Sequence, residues 1–212
     1  MIRYVLTEGK ISISLSFVLF AGIVGVLRLA AVFSPDMAET WAVWVSALEV
    51  LFPALFPLVF FQLLEREKGW RTLDVLVATP RRKAIVFGVR TMLSIFPMIA
   101  VVMVAVPPSK YLAVLAPGLS LGGLCFAAGI LMEEEIGLGA SLAWWGISLA
   151  FLFRDLPFGD PRLLSWFVLL LSRAPLSPEE LLMRRVAHLS VGLVLLGLST
   201  VLADIKRSWF PR

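Results

Sequence analysis

Tyr111-Leu-Ala-Val-Leu-Ala-Pro-Gly-Leu-Ser-Leu-Gly-Gly-Leu-Cys-Phe-Ala-Ala-Gly-Ile-Leu-Met132 runs for 22 residues without a charge. A helix rising 1.5 Å per residue needs about 20 such residues to cross a hydrocarbon core about 30 Å thick. This stretch therefore reads as a membrane span. Five more qualify on the same measure: Ile11–Phe33, Trp41–Leu64, Ala84–Val106, Ile136–Phe153 and Val186–Ala203, of 18 to 24 residues each. All are continuously apolar rather than alternating with period two, which selects helices over a membrane barrel. The expected fold class is all-α integral membrane, with six transmembrane helices in a single domain over residues 1–212 and no internal repeat. Composition agrees. Of 212 residues 59% are hydrophobic and 16% charged, against about 25% charged in soluble domains. With a mean hydropathy of +0.92, a soluble globule and a disordered chain are both excluded.

The connections refine this outline. Leu163–Leu171 is apolar but only nine residues long, too short to cross, and prolines surround it. Residues 157–185 are therefore expected to form re-entrant or interfacial helices sheltered by protein. Ser177-Pro178 with Glu179-Glu180 makes a good helix opening there, and Arg184-Arg185 is expected to close the same short helix. At the amino terminus, Ile2, Val5 and Leu6 fall at i, i+3 and i+4 beside Arg3, Glu8 and Lys10, predicting an interfacial amphipathic helix over residues 1–10. The first apolar run exceeds a signal-peptide core and Arg28 interrupts any cleavage site, so it is read as a retained span. With the amino terminus inside, twelve Lys and Arg face the cytoplasm and six face outward. Both termini are thus expected on the cytoplasmic side of a cell membrane.

Most of the chemistry-bearing pattern lies between the second and third spans, in Leu64-Glu-Arg-Glu-Lys-Gly69-Trp-Arg-Thr72-Leu-Asp-Val-Leu-Val-Ala-Thr-Pro80-Arg-Arg-Lys83. Gly69 breaks the helix leaving span two. Thr72 caps a new short helix, and Pro80 ends it. Leu73, Leu76 and Val77 form one apolar ridge between two clusters of charge. Two readings follow: an interfacial helix with Arg81, Arg82 and Lys83 on anionic headgroups, or a docking helix whose ridge enters a groove on a soluble partner.

Glu65-Arg-Glu-Lys-Gly followed by Thr72-Leu-Asp-Val-Leu-Val-Ala-Thr-Pro80 and a basic patch resembles the signature of type-two ATP-binding-cassette exporter permeases. That family carries E-x-E-x-G-T-L-x-x-L-L-x-T-P after its second span. It has an amino-terminal interfacial helix, six spans and two short re-entrant helices before the last. Here Trp70-Arg71 stands between Gly69 and Thr72, where the family has the two adjacent, which bears on the hinge. The resemblance implies that residues 72–80 are the coupling helix, with Thr72, Leu73, Asp74, Leu76, Val77, Thr79 and Pro80 docking the ATPase. Glu65, Glu67 and Gly69 would form the elbow before it. No phosphate-binding G-x-x-x-x-G-K-[ST] loop occurs in this sequence, so the resemblance places ATP and Mg in a separate ATPase chain. It also implies a second permease copy, by default a C₂ homodimer, and no catalytic residue in this chain. The small size resembles the haem-export permease of cytochrome c maturation, and equally small drug, peptide or lipid exporters. No Cys/His site supports the haem branch.

Within the spans two ionisable groups stand out. Glu49 lies eight residues into span two and Arg28 five residues before the end of span one, about 12 Å and about 8 Å deep. An intramembrane charge needs a partner or water, so Glu49 either faces a translocation route or a dimer interface, or pairs with Arg28. Glu133-Glu134-Glu135 reads as a solvated cap or a cytoplasmic gate, and His188 as an interfacial or substrate-touching histidine. Cys125 and His188 are too few for a structural metal, and the scattered basic residues give no nucleic-acid stripe. The rival class is an ATP-independent transporter or an intramembrane enzyme. The first normally shows repeats, and the second a cluster of acids or histidines.

Overall fold

The computed structural model describes residues 35–69, 83–153 and 176–208. These form α1 (Pro35–Leu51), a 3-10 turn (Phe52–Ala54), α2 (Leu55–Gly69), α3 (Lys83–Ala105), a second 3-10 turn (Pro108–Lys110), α4 (Tyr111–Leu131), α5 (Glu134–Phe153) and α6 (Pro178–Ser208). Among the described residues every element is helical. Three stretches are long and apolar enough to cross a membrane: Val43–Leu64, Pro108–Leu131 and Pro178–Leu202. A shorter apolar stretch, Ile95–Ala105, belongs to α3. The expected interfacial helix (1–10), first span (11–33) and coupling helix (72–80) lie outside the described residues, as does residues 154–175 of the outer connection.

Proline sets most of the interruptions. Pro53 has no N–H, and its ring opposes the carbonyl four residues back, that of Glu49. The chain responds with the Phe52–Ala54 turn, where the Leu55 N–H reaches back to the Phe52 carbonyl. The Val50 carbonyl, in the turn before the break, accepts a 3.0 Å hydrogen bond from the Trp145 indole on α5. At the other boundary, Val106 precedes Pro107-Pro108, so α3 ends and Pro107 takes an extended conformation. Trp145→Phe keeps the ring but leaves that carbonyl without its side-chain donor. The expected loss is about 1 kcal/mol, read as a lowered thermal-unfolding midpoint in detergent.

Helix α4 is the hub and is buried along nearly its whole length. Phe52, Phe56 and Phe60, spaced by four, present one aromatic ridge, with Phe60 and Phe126 stacked obliquely at 5.3 Å between centroids. The ridge enters holes in α4. A Cβ on Gly118 would lie 2.6 Å from the Phe56 ring, and one on Gly122 2.5 Å from Phe60. On another side α4 meets α6 backbone to backbone. A Cβ on Gly192 would lie 2.6 Å from the Leu119 carbonyl carbon, and one on Gly123 2.8 Å from the Gly192 oxygen. Small residues at such crossings are how helices associate where lipid removes the hydrophobic drive between them. The Gly118-x-x-x-Gly122 spacing that signals this is present in the sequence, although the apolar runs alone do not show which helix is central.

The opposite surface is apolar too. Phe96, Met103, Val104, Ile147, Val191, Val194 and Val201 are all exposed. In water so much exposed apolar area is untenable, and it matches a lipid-facing exterior.

The largest departure from expectation is α6. It opens with a reciprocal cap, the Glu180 N–H donating to Ser177 Oγ at 3.2 Å and the Ser177 N–H to Glu180 Oε2 at 3.0 Å. From Pro178 it then runs unbroken for 31 residues. Residues 178–185, assigned above to a separate short helix in the re-entrant region, are the first turns of this long helix. Arg184-Arg185 therefore does not terminate anything. No glycine or proline follows to stop the helix before Gly192, and the two arginines sit inside it rather than at its end.

Candidate functional site

Several of the described ionisable groups lie at the end of the bundle where α4 and α6 begin. Glu49 is 3% exposed on the last turns of α1, just before the proline break. Its Oε1 lies 2.6 Å from Nζ of Lys110, which the second 3-10 turn carries to the head of α4. Arg185 of α6 lies within electrostatic reach of the same carboxylate. Glu49 is six residues into its apolar stretch and Arg185 seven into its own, so both sit about 9–10 Å inside. The carboxylate thus has one cation in direct contact, Lys110, and feels a second, Arg185, at longer range.

Arg184 and His188 extend the polar surface along α6. They are 4% and 5% exposed and one helical turn apart on the inward face of the helix, while Arg185 is half-buried. Outward at the same level lie Leu182, Met183 and Val186, all exposed. Polar-in and apolar-out is the pattern of a helix in lipid. The His188 carbonyl accepts a 2.6 Å bond from Ser120 Oγ on α4, which fixes the two helices in register beside the charges.

The residues singled out from sequence fare differently. Glu49 is buried and ion-paired, but the partner seen is Lys110; Arg28 lies outside the described residues. No local sequence pattern links Lys110, Arg184 or Arg185 to a carboxylate more than 60 positions away. Glu65, Glu67 and Gly69 fall in the last turns of α2, which ends at Gly69. Thr72, Leu73, Asp74, Leu76, Val77, Thr79 and Pro80 lie outside the described residues. Glu133 and Glu135 are exposed at the turn between α4 and α5, and Glu134 and Glu135 occupy the first turn of α5, where the helix dipole favours them. Among the described residues no three His, Cys, Asp or Glu side chains come together in a way that could hold a metal. Cys125 is buried, its thiol directed to the Pro57 carbonyl at 3.4 Å. Comparison of the chain with protein-family models, curated proteins and solved structures returns no match.

Proposed function

We propose that this chain is the membrane-spanning permease subunit of an ATP-driven exporter, and that a separate ATPase chain drives it. The observation carrying this reading is the Glu65–Pro80 segment, whose residues resemble the coupling signature of type-two exporter permeases. Its setting supports the reading. Helix α2 stops at Gly69 and α3 starts at Lys83, so the segment joins two helix ends on the side of the bundle opposite Lys110. Exposed apolar walls around the hub helix support a chain working inside lipid.

On this reading ATP and Mg bind the partner, and nucleotide draws two ATPases together. The ridge of Leu73, Leu76 and Val77 transmits that movement to the spans of two permease copies. Coupling requires that nucleotide favour one conformation of the pair over the other. The cargo is a small hydrophobic or amphipathic molecule: a drug, peptide, lipid or haem. The chain would reside in the cell membrane with both termini cytoplasmic.

The test is co-expression with any ATPase that a neighbouring reading frame encodes, followed by co-purification and measurement of ATP turnover in vesicles. A stable complex is expected. Leu76→Asp places a charge on the docking ridge and should reduce turnover to the motor's basal rate. Failure of any such ATPase to co-purify overturns the reading, as does a Leu76→Asp complex with unaltered coupled turnover.

A further inference from the structure

We infer that the Phe52–Ala54 turn is a hinge within the span Val43–Leu64, about which α1 swings while α2 stays fixed to the hub helix. The Trp145 indole and the Lys110 ammonium are the catches that hold α1 in the position seen. This device stands whether or not a motor drives the chain. Two observations carry it.

The first is a helix with two hydrogen-bonded forms. The turn falls in the middle of the 22-residue apolar stretch. Pro53 and Pro57, four apart and both buried, lack the N–H groups that the Glu49 and Pro53 carbonyls would accept from. In a continuous helix the Val50 carbonyl would take the Ala54 N–H; here it takes the Trp145 indole at 3.0 Å. That carbonyl is bonded in either form. Leu51 and Leu55, on either side of the turn, already have helical dihedrals, with φ −84° and ψ −37° at the first and φ −75° and ψ −25° at the second. Converting the turn to α-helix therefore takes small rotations and no passage through forbidden conformations. A 3-10 segment inside a longer helix is where hinges of this kind are found.

The second is unequal anchoring on the two sides of the turn. On the α2 side, Phe56 and Phe60 are fully buried and fill the holes at Gly118 and Gly122. On the α1 side, Val45 and Leu48 are buried, but Val43 is 70% exposed and Trp44 50%. Polar contacts tie this side down: Glu49 to Lys110 at 2.6 Å, and the Val50 carbonyl to Trp145. The post that carries Lys110 is itself fixed. Tyr111 Oη donates at 2.9 Å to the Met103 carbonyl, whose helical donor would have been Pro107. Polar ties can be exchanged for water or headgroups, whereas rings set into glycine holes cannot leave without opening a cavity. Released, α1 would uncover Glu49 at the head of α4 and leave the phenylalanine ridge where it is.

The test is pulsed electron–electron double resonance on the full chain in detergent. Nitroxide pairs are placed at Val43 and Val194, and at Leu58 and Val194, all exposed positions. The parent chain, whose one cysteine, Cys125, is buried, serves as the labelling blank. Two Val43–Val194 distances are expected, the second a minor population in the parent. Trp145→Phe should raise the ratio of second to first about fivefold, the worth of one hydrogen bond. Lys110→Met should raise it about tenfold or more, because the buried carboxylate loses the cation in contact with it. Pro53→Ala restores the N–H that a continuous helix needs and should shift the ratio in the same direction. It touches neither catch, which keeps the test decisive should a catch variant fail to fold. The Leu58–Val194 distance should stay constant throughout. A single Val43–Val194 distance, unchanged in all three variants, would overturn the hinge. So would equal movement of the Leu58 label, which would mean that the bundle loosens as a whole.

Discussion

Gly192→Leu is expected to unfold the bundle, while Gly197→Leu, on the same helix, leaves it intact. The side chain introduced at 192 meets backbone. Its Cβ alone would lie 2.6 Å from the Leu119 carbonyl carbon and 2.7 Å from both the Leu119 oxygen and the Ser120 nitrogen. A flexible side chain in that position could swing aside. A helical backbone cannot, so α4 and α6 must separate. Separation also draws the His188 carbonyl from Ser120 Oγ and loosens Leu196, 2% exposed in the core. Overpacking a core typically costs about 1–3 kcal/mol where neighbours can adjust. Against rigid backbone the cost is expected at or above about 3 kcal/mol, a large share of the stability of an ordinary domain. At Gly197 nothing lies within 4 Å of an added Cβ. Leucine there is expected within about 0.5 kcal/mol of wild type, helped slightly by its better helix propensity. Thermal midpoints from size-exclusion chromatography in detergent separate the two. Equal midpoints would mean that α4 and α6 do not cross at these glycines.

The contrast shows what a sequence of this kind yields. Element positions follow from the length of apolar runs: Tyr111–Met132 was expected and α4 spans Tyr111–Leu131, and Ile136–Phe153 compares with Glu134–Phe153. The opening of α6 was legible too, because Ser177, Pro178 and Glu180 cap by local geometry alone. Packing was not. Gly192 and Gly197 look identical in sequence, and only the neighbour across the gap distinguishes them. Arg184-Arg185 misled for a related reason. A cationic pair ordinarily marks a helix carboxyl end through the dipole. In lipid the same pair can sit mid-helix wherever a carboxylate on another helix faces it, and that carboxylate is remote in the chain.

Glu49 is where that remoteness has its largest energetic effect. Lys110→Met is expected to destabilise the chain by about 3 kcal/mol, the lower end of the range for removing one partner of a buried pair, because it takes the contacting cation from a carboxylate that is 3% exposed. The opposite truncation should be milder. Glu49→Gln leaves Lys110, 42% exposed, in contact with solvent or headgroups, so a loss of no more than about 1 kcal/mol is expected, as for other partly exposed pairs. The asymmetry follows from which member of the pair is buried. Combining Glu49→Gln with Lys110→Met should recover part of the Lys110→Met deficit, with a coupling of about 0.5–3 kcal/mol because the groups are in contact. Thermal midpoints of the three variants in one zwitterionic detergent give the cycle. Equal losses in the two single variants would mean that burial of the carboxylate does not set the cost, and a Lys110→Met midpoint equal to wild type would mean that the ammonium does not stabilise the carboxylate.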